Sequence, residues 1–189
     1  MYIASWKEIK IKKKVACVNN FNLLVSTSRF NEHNAKAELW FTLLICGDQF
    51  PIISRLDFPG LIQAVTSLSK AKLLSEIKRI LKRDPTFFQY ILKIIPIDFT
   101  CETNVNVIKT IVQNHYSDFI HENETFMIKL KRRSNEAIDR TTFIEKMARD
   151  IDNEVDLTNP DKILRFEILD KVCGIAFLKP GDIISIGLH

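Results

Sequence analysis

The residues that could carry chemistry in this sequence are a few serines, two histidines and one cysteine with charged neighbours. The tetrapeptides that begin at Ser67 and Ser75 both have the S-x-x-K spacing of serine nucleophiles, but two matches in one basic helical stretch show how little that spacing means alone. His115 and His121 are six residues apart, which places them on different faces of a helix and argues against a shared metal ion. Cys101 has an acidic neighbour but no histidine close in sequence. These patterns predict no catalytic residue and no metal site.

Loops that bind phosphate and cysteine pairs that bind zinc are also missing from the sequence. The 5 glycines fit neither the dinucleotide-binding spacing nor the P-loop spacing. The 4 cysteines are widely separated, so no C-x-x-C pair exists, and buried reduced thiols are the simpler interpretation. We therefore expect no cofactor and no enzymatic activity from this chain.

A basic strand end is the pattern that does indicate binding. Apolar and polar residues alternate from Phe126 onwards, so one face of a predicted strand is apolar and the other becomes basic. Lys129, Lys131 and Arg133 share the basic face at steps of about 6 to 7 Å. Arginine can hold a phosphate through two parallel hydrogen bonds and lysine adds a point charge, which favours a nucleic acid over a small acidic ligand.

The positive charge is concentrated in three windows of the chain. The net charge is only +4, but residues 7–14, 70–93 and 129–149 together hold 19 of the 27 basic residues. Acidic residues gather elsewhere, notably between Asp150 and Asp156. If the basic windows converge in the fold, the surface is electrically polarised; a solvated charged face is the ordinary alternative.

Composition indicates a packed globular protein. Hydrophobic residues make up 46% and charged residues 26% of the 189 residues, which is far from the signature of disordered chains. The longest apolar stretch, around residues 39–46, is much shorter than the ~20 residues that span a bilayer. No apolar segment of the kind that a secretory signal needs follows the first lysines. We therefore expect a cytoplasmic protein.

The first half of the chain has the element order of a ferredoxin-like unit. A short apolar segment, residues 21–27, predicts a strand that leads into a helix from Glu32 to Ile45. Residues 52–56 and 61–65 read as two adjacent strands. An amphipathic helix with a basic face follows around residues 73–81, and a β-branched run over residues 90–97 completes the order β-α-β-β-α-β.

The second half predicts the order α-β-α-β-β. An apolar stripe from Val105 predicts a first helix, capped near Thr103 or Asn104, and the basic strand follows it. The spacing of Thr142 and Glu145 is that of a capping box, which predicts a second helix running through Ile151. Residues 163–169 and 172–178 then read as two strands, with a short additional strand possible at residues 155–157. The fold class is α/β (α+β), and we divide the chain into residues 1–98 and 99–189.

These segments resemble a known family. The segment Phe126-Met-Ile-Lys-Leu-Lys-Arg-Arg133, followed by Val155-Asp-Leu-Thr-Asn-Pro-Asp161 and paired strands, is similar to the core of a THUMP domain. The order of the two units, a ferredoxin-like unit followed by this core, resembles the tRNA-binding half of tRNA 4-thiouridine synthases. Three further segments more closely resemble the stand-alone THUMP proteins of archaea and eukaryotes: Phe21-Asn-Leu-Leu-Val-Ser-Thr-Ser-Arg29, Phe58-Pro-Gly-Leu61 and Ile95-Pro-Ile-Asp98. Ser134 stands where many members carry glycine, which predicts a loop less able to adopt a positive φ.

The resemblance implies a non-catalytic adaptor that binds the acceptor end of tRNA and presents it to an RNA cytidine acetyltransferase for N(4)-acetylcytidine formation. Two alternatives stay open: an RNA-binding subunit for tRNA thiolation or methylation, and a ferredoxin-like small-molecule sensor or dimerisation module. The predicted RNA-binding residues comprise the strand end and flanking cations: Lys129, Lys131, Arg132, Arg133, Arg140, Lys78, Arg79, Arg83 and Arg29.

Overall fold

A computed structural model describes residues 20–134 and 138–187 of the chain. This part contains four helices and two β-sheets. The first basic window, residues 7–14, lies outside the described residues. Among the described residues, no helix is both long and apolar enough to cross a membrane.

The first unit consists of four strands and two helices in the predicted order. The elements are β1 (Leu23–Thr27), α1 (Glu32–Ile45), β2 (Ile52–Arg55), β3 (Leu61–Val65), α2 (Lys70–Arg83) and β4 (Ile91–Pro96). The strands of this unit lie in the order β2-β3-β1-β4, and every neighbouring pair is antiparallel, as expected for a ferredoxin-like unit.

Both helices of this unit pack on the same face of its sheet. Leu39 and Leu43 of α1 and Ile77 of α2 are fully buried in one core with Val25 of β1 and Ile94 of β4. The apolar stripe predicted for α2 is therefore the buried side of that helix, and its lysines and arginines lie on the solvent side. The side chain of Ser69 caps the helix by accepting a hydrogen bond from the backbone amide of Lys72.

The second unit also consists of a four-stranded sheet and two helices. The elements are β5 (Phe99–Glu102), α3 (Val105–Phe119), β6 (Phe126–Arg133), α4 (Arg140–Ala148), β7 (Lys162–Leu169) and β8 (Val172–Leu178). The strands lie in the order β5-β8-β7-β6; β6 and β7 are parallel, and the other neighbouring pairs are antiparallel. The unit therefore begins with a strand, β5, which the sequence interpretation missed. Residues 155–157 form a single bridge, Val155 to Phe126, and not a strand.

The start of α4 differs from the prediction. The helix begins at Arg140, and the carboxylate of Asp139 caps it by accepting hydrogen bonds from the backbone amide and the hydroxyl of Thr142. The predicted capping box at Thr142 is wrong because Thr142 is already inside the helix. The helix also ends at Ala148, so Ile151 is buried beyond its end.

The two sheets pack face to face. Leu24 of β1 and Ile95 of β4 lie in one apolar cluster with Ile163 of β7 and Ala176 of β8, and all four side chains are buried. Each sheet carries its helices on the opposite face, so the molecule has four layers in the order helix, sheet, sheet, helix. Gly174 lies at the contact, where an added Cβ would stand 3.2 Å from Cδ1 of Ile97.

The chain finally returns to the first sheet. Strand β9 (Ile184–Ser185) pairs with β4 in antiparallel fashion, and Ile184 is buried in the core of the first unit. The first sheet is thus completed by residues that follow the whole second unit. The sequence interpretation did not predict this strand.

Candidate nucleic-acid interface

Strand β6 has the alternation that the sequence predicted. Phe126, Ile128 and Leu130 are buried in the second core, whereas Lys129 and Lys131 are exposed. Met127, on the same side of the strand as the two lysines, packs against the cluster between the sheets. The lysines therefore continue that side of the strand beyond the point where the first sheet covers it.

The neighbouring strand β7 holds an ion pair beneath this row. In the parallel register Lys129 stands beside Arg165, and Lys131 stands beside Glu167. Arg165 donates from Nε to Oε1 of Glu167 over 2.7 Å, and the side chain of Glu167 is only 3% exposed. Because Arg165 already neutralises the charge of Glu167, Glu167 does little to reduce the positive potential of the two lysines.

Lys129 and Lys131 themselves make no salt bridge within residues 20–134 and 138–187. Unlike Arg132 and Arg140, the two lysines donate no hydrogen bond to a carbonyl group in that part of the chain. Flexible, solvated ammonium groups in a row can neutralise successive phosphates of a nucleic acid. Of the predicted RNA-binding residues, these two lysines are therefore the best placed to bind phosphates.

Two predicted arginines are instead engaged with the backbone. Arg132 donates from Nη1 to the carbonyl oxygen of Ile138, and Arg140 donates from Nη1 to the carbonyl oxygen of Leu130 over 3.0 Å. Together they tie the end of β6 to the start of α4. Each guanidinium keeps further N–H groups that could meet a phosphate, so a structural contact and a binding contact are compatible.

Arg133 and Ser134 end the strand. Arg133 is half-buried, and its Nε is buried without a hydrogen-bond partner in the described part of the chain. Its carbonyl oxygen accepts a hydrogen bond from the backbone amide of Asp170. Ser134 has φ +52°, so the expectation that serine here disfavours a positive φ is wrong. The loop takes the left-handed conformation without glycine, at a cost of about 1 to 2 kcal/mol.

A polar network fixes the start of β6. The Asn-Pro-Asp segment that resembles a THUMP core ends at Asp161, whose carboxylate accepts hydrogen bonds from the backbone amide and the hydroxyl of Thr125. The ammonium group of Lys162 is paired with Glu124 over 2.7 Å and donates to the carbonyl oxygen of Phe119. Hydrogen bonding from Lys162 lowers the pKa of Glu124 below its usual range. The network anchors the strand beside α3, and sequence reasoning missed Lys162 because its partners are remote in the chain.

The flanking cations lie elsewhere. Lys78, Arg79 and Arg83 are exposed on α2, which covers the outer face of the first sheet and belongs to a different layer from β6. Arg79 is also paired with Glu76 over 2.6 Å. Arg29 is exposed in the loop between β1 and α1. The structure therefore brings together the four residues of the strand end and Arg140, but not the α2 cations.

Ser67 and His115, two of the residues first considered for catalysis, are engaged in structural contacts. The hydroxyl of Ser67 donates to the carboxylate of Asp48 over 3.1 Å. His115 stacks on the ring of Phe99, with 4.5 Å between the ring centroids. In the described ranges, no three histidine, cysteine or acidic side chains cluster in a way that could hold a metal ion.

Comparison with known proteins identifies the second unit. Residues 102–178 match the family model of the THUMP domain. None of the curated proteins compared matches the chain significantly.

Solved structures resemble the chain over most of its length. PH1313 from Pyrococcus horikoshii superposes with a TM-score of 0.63 at 18% identity, covering 85% of this chain and 55% of that one. TrmN from Thermus thermophilus gives 0.53 at 8% identity, covering 82% and 44%. A 4-thiouridine synthetase in complex with RNA and ATP gives 0.50 at 11% identity, covering 88% and 42%. At these identities the likeness shows the fold, and the chain spans about half the length of each.

Proposed function

The chain carries a THUMP domain over residues 102–178, and from this we propose that it is a tRNA-binding adaptor that presents tRNA to a separate modification enzyme. THUMP domains are RNA-binding modules of tRNA modification, and the domain here has a basic strand on its surface. The finer proposal, carried by the resemblance of the first unit and the strand end to stand-alone THUMP proteins, is that the partner is an RNA cytidine acetyltransferase and the product N(4)-acetylcytidine.

The exposed lysines of β6 are the observation that supports RNA binding. Lys129 and Lys131 project from one side of a strand whose other side packs in the core, so the strand fixes the spacing between their charges. Arg132, Arg133 and Arg140 add charge around the end of the same strand. We propose this surface as the phosphate-binding site and the α2 cations and Arg29 as weaker peripheral contacts.

Salt dependence tests the binding site. About five phosphate contacts predict a slope of log K on log[salt] near −3 to −4 for tRNA, since each single-strand contact contributes roughly 0.7. Lys129→Ala with Lys131→Ala is expected to reduce the slope by about 1.4 and to leave folding unchanged, because exposed charges contribute little to stability.

The matched control replaces two exposed lysines on the helices of the first unit, Lys36→Ala with Lys72→Ala, in a different layer from β6. This variant has the same net charge as the first double variant, so it should retain nearly the wild-type slope. Equal losses in the two variants would show that binding depends on overall charge and would exclude a site on β6.

Removal of the terminal CCA of a tRNA tests the choice of the acceptor end. The trimmed tRNA loses few phosphates, so a purely electrostatic binder would lose little affinity. A binder of the single-stranded end also loses stacking and hydrogen bonds of about 1 to 3 kcal/mol per base. We expect at least about a tenfold weaker Kd, equivalent to ~1.4 kcal/mol. Unchanged affinity would contradict acceptor-end binding while leaving general RNA binding intact.

Reconstitution tests the adaptor role and the partner. The isolated chain with tRNA, ATP and an acetyl donor should modify nothing, and addition of an RNA cytidine acetyltransferase should give N(4)-acetylcytidine more efficiently with the chain than without it. The double variant at Lys129 and Lys131 should lose that gain. Turnover by the chain alone would contradict the adaptor role, and a gain with a thiolation or methylation enzyme instead would identify a different partner.

A further inference from the structure

Two cysteines that are remote in sequence face each other across the second sheet. Cys101 of β5 is the direct cross-strand partner of Cys173 of β8 in an antiparallel pairing. Side chains at such positions point to the same face, with Cβ atoms about 4.5 to 5.5 Å apart. Here that face is the one covered by α3, and both thiols belong to the same core cluster.

The two thiols differ in exposure. Cys173 is completely buried, whereas Cys101 lies on the edge strand β5 and is only partly buried. Cys101 thus lies at the solvent boundary of the core and Cys173 lies inside it, so an oxidant arriving from solvent would meet Cys101 first. The partly open thiol and the closed thiol stand in the arrangement of an attacking cysteine and a resolving cysteine.

The neighbouring thiol favours the charged form of one of the two cysteines. The Cys173 thiol, opposed by burial and by the charge of Glu102, lowers the pKa of Cys101 below the ordinary range. The Cys101 thiol, together with burial, raises the pKa of Cys173. The thiol of Cys173 donates to the carbonyl oxygen of Gly174, with 3.7 Å between sulfur and oxygen.

We propose that Cys101 is a thiol-modification site. A hydroperoxide oxidises Cys101, which then forms a reversible disulfide with Cys173. The sulfur of Cys101, as thiolate, attacks the terminal oxygen of the hydroperoxide. The O–O bond breaks, and the leaving oxygen takes a proton to give water or an alcohol. The sulfur of Cys173 then attacks the sulfenic acid of Cys101, its proton passes to the departing hydroxyl, and a second water leaves. Two thiols lose two electrons in total and the hydroperoxide gains them.

The resulting bond is expected to be easily reduced. A disulfide has Cβ atoms about 3.5 to 4.5 Å apart, so closure shortens the usual cross-strand Cβ–Cβ spacing by about 1 Å and draws β5 and β8 together. Strained disulfides have more oxidising potentials than structural ones and are the labile ones. The bond would fix edge strand β5 covalently to the sheet of the THUMP domain. None of these steps depends on the proposed role in tRNA modification.

The test uses the full chain with Cys17→Ser, because Cys17 lies outside the described residues and could react independently. The folded protein is treated with hydrogen peroxide, remaining thiols are alkylated, and tryptic peptides are analysed by mass spectrometry. Cys46 is an internal control, since it is buried and burial raises its pKa to about 11. We expect a peptide pair joined through Cys101 and Cys173, which thioredoxin separates again.

Two variants make the outcome decisive. In Cys173→Ser the oxidised Cys101 cannot be resolved, so dimedone should label its sulfenic acid. In Cys101→Ser the loss of free Cys173 thiol should slow by about tenfold or more, to the rate of Cys46, because thiolate content and exposure control the reaction. Oxidation of Cys101 no faster than that of Cys46, or a wild-type sulfenic acid that never condenses with Cys173, would overturn the proposal.

Discussion

Arginine and lysine have different parts along β6. The two lysines are exposed and unpaired by any salt bridge in the described part of the chain, whereas Arg132 and Arg140 donate hydrogen bonds to carbonyl oxygens at the strand end. A single-sequence interpretation assigns the same role to all of them because it sees charge and not hydrogen-bond partners. The consequence is that loss of an arginine can weaken RNA binding through the fold, and only the lysines report on charge alone.

Arg140 provides the test of this difference. Replacement by alanine removes its hydrogen bond to Leu130 and should lower the free energy of unfolding by about 1 kcal/mol, the usual net contribution of such a bond. Lys131→Ala on the same surface should change it by less than about 0.5 kcal/mol. Urea denaturation followed by circular dichroism measures both values. If the two variants are equally stable, the contact of Arg140 with the strand does not contribute to folding.

At the scale of elements, one buried carboxylate fastens the end of α1 to the start of α2. Asp48 is 2% exposed and accepts hydrogen bonds from the hydroxyl of Thr66 over 2.6 Å and from the amide of Ser67. Burial raises the pKa of Asp48, but these hydrogen bonds and that from the amide of Phe50 together lower it below the ordinary value. The charged carboxylate is therefore the form that stabilises the connection.

The pH dependence of stability follows from the lowered pKa of Asp48. A lowered pKa in the folded state adds stability above the unfolded value, about 3.9 for aspartate, and this stability is lost as pH falls through the folded pKa. Asp48→Asn should therefore be less stable than the wild type at pH 7, and the difference should shrink below about pH 4. Urea midpoints measured between pH 3 and pH 7 give this difference. A constant difference over the whole range would show that the charge of Asp48 is unimportant.

The elements also show how far the sequence reaches. Helix α1 begins and ends at the predicted residues, and the predicted alternation of β6 is confirmed, because both patterns depend on residues that are close in sequence. Strands β5 and β9 were missed because they are short and owe their existence to partners far away in the chain. The same reason hides Asp161 with Thr125, and Cys101 with Cys173: spacing along the chain carries no information about contacts across a sheet.

At the scale of the whole molecule, one ion pair joins the two units. Lys70 at the start of α2 donates to both oxygens of Asp98, at 2.7 and 2.8 Å, and to the carbonyl oxygen of Phe177 in β8. Asp98 lies between β4 and β5, and its carboxylate also accepts a hydrogen bond from the backbone amide of Phe177. The division of the chain at residue 98, which stays a prediction, thus falls at a residue that is hydrogen-bonded to both units.

Replacement of Asp98 by alanine should destabilise the whole chain. The change leaves a partly buried ammonium group and the Phe177 amide without their acceptor, which costs about 2 kcal/mol. Hydrogen exchange should accelerate in both α2 and β8. The control is Arg79→Ala, which breaks an exposed pair with Glu76 and should cost less than about 0.5 kcal/mol. Faster exchange confined to one unit would show that Asp98 does not couple them.

The return of the chain to its first sheet has a consequence for synthesis. Because β9 pairs with β4 and Ile184 packs in the first core, the first unit is incomplete until the entire THUMP domain has left the ribosome. At ~5 to 20 residues per second this delay lasts several seconds. During that time the edge of β4 stays open to other strands. A nascent chain stalled before Ile184 should therefore bind chaperones that the released chain of 189 residues no longer needs.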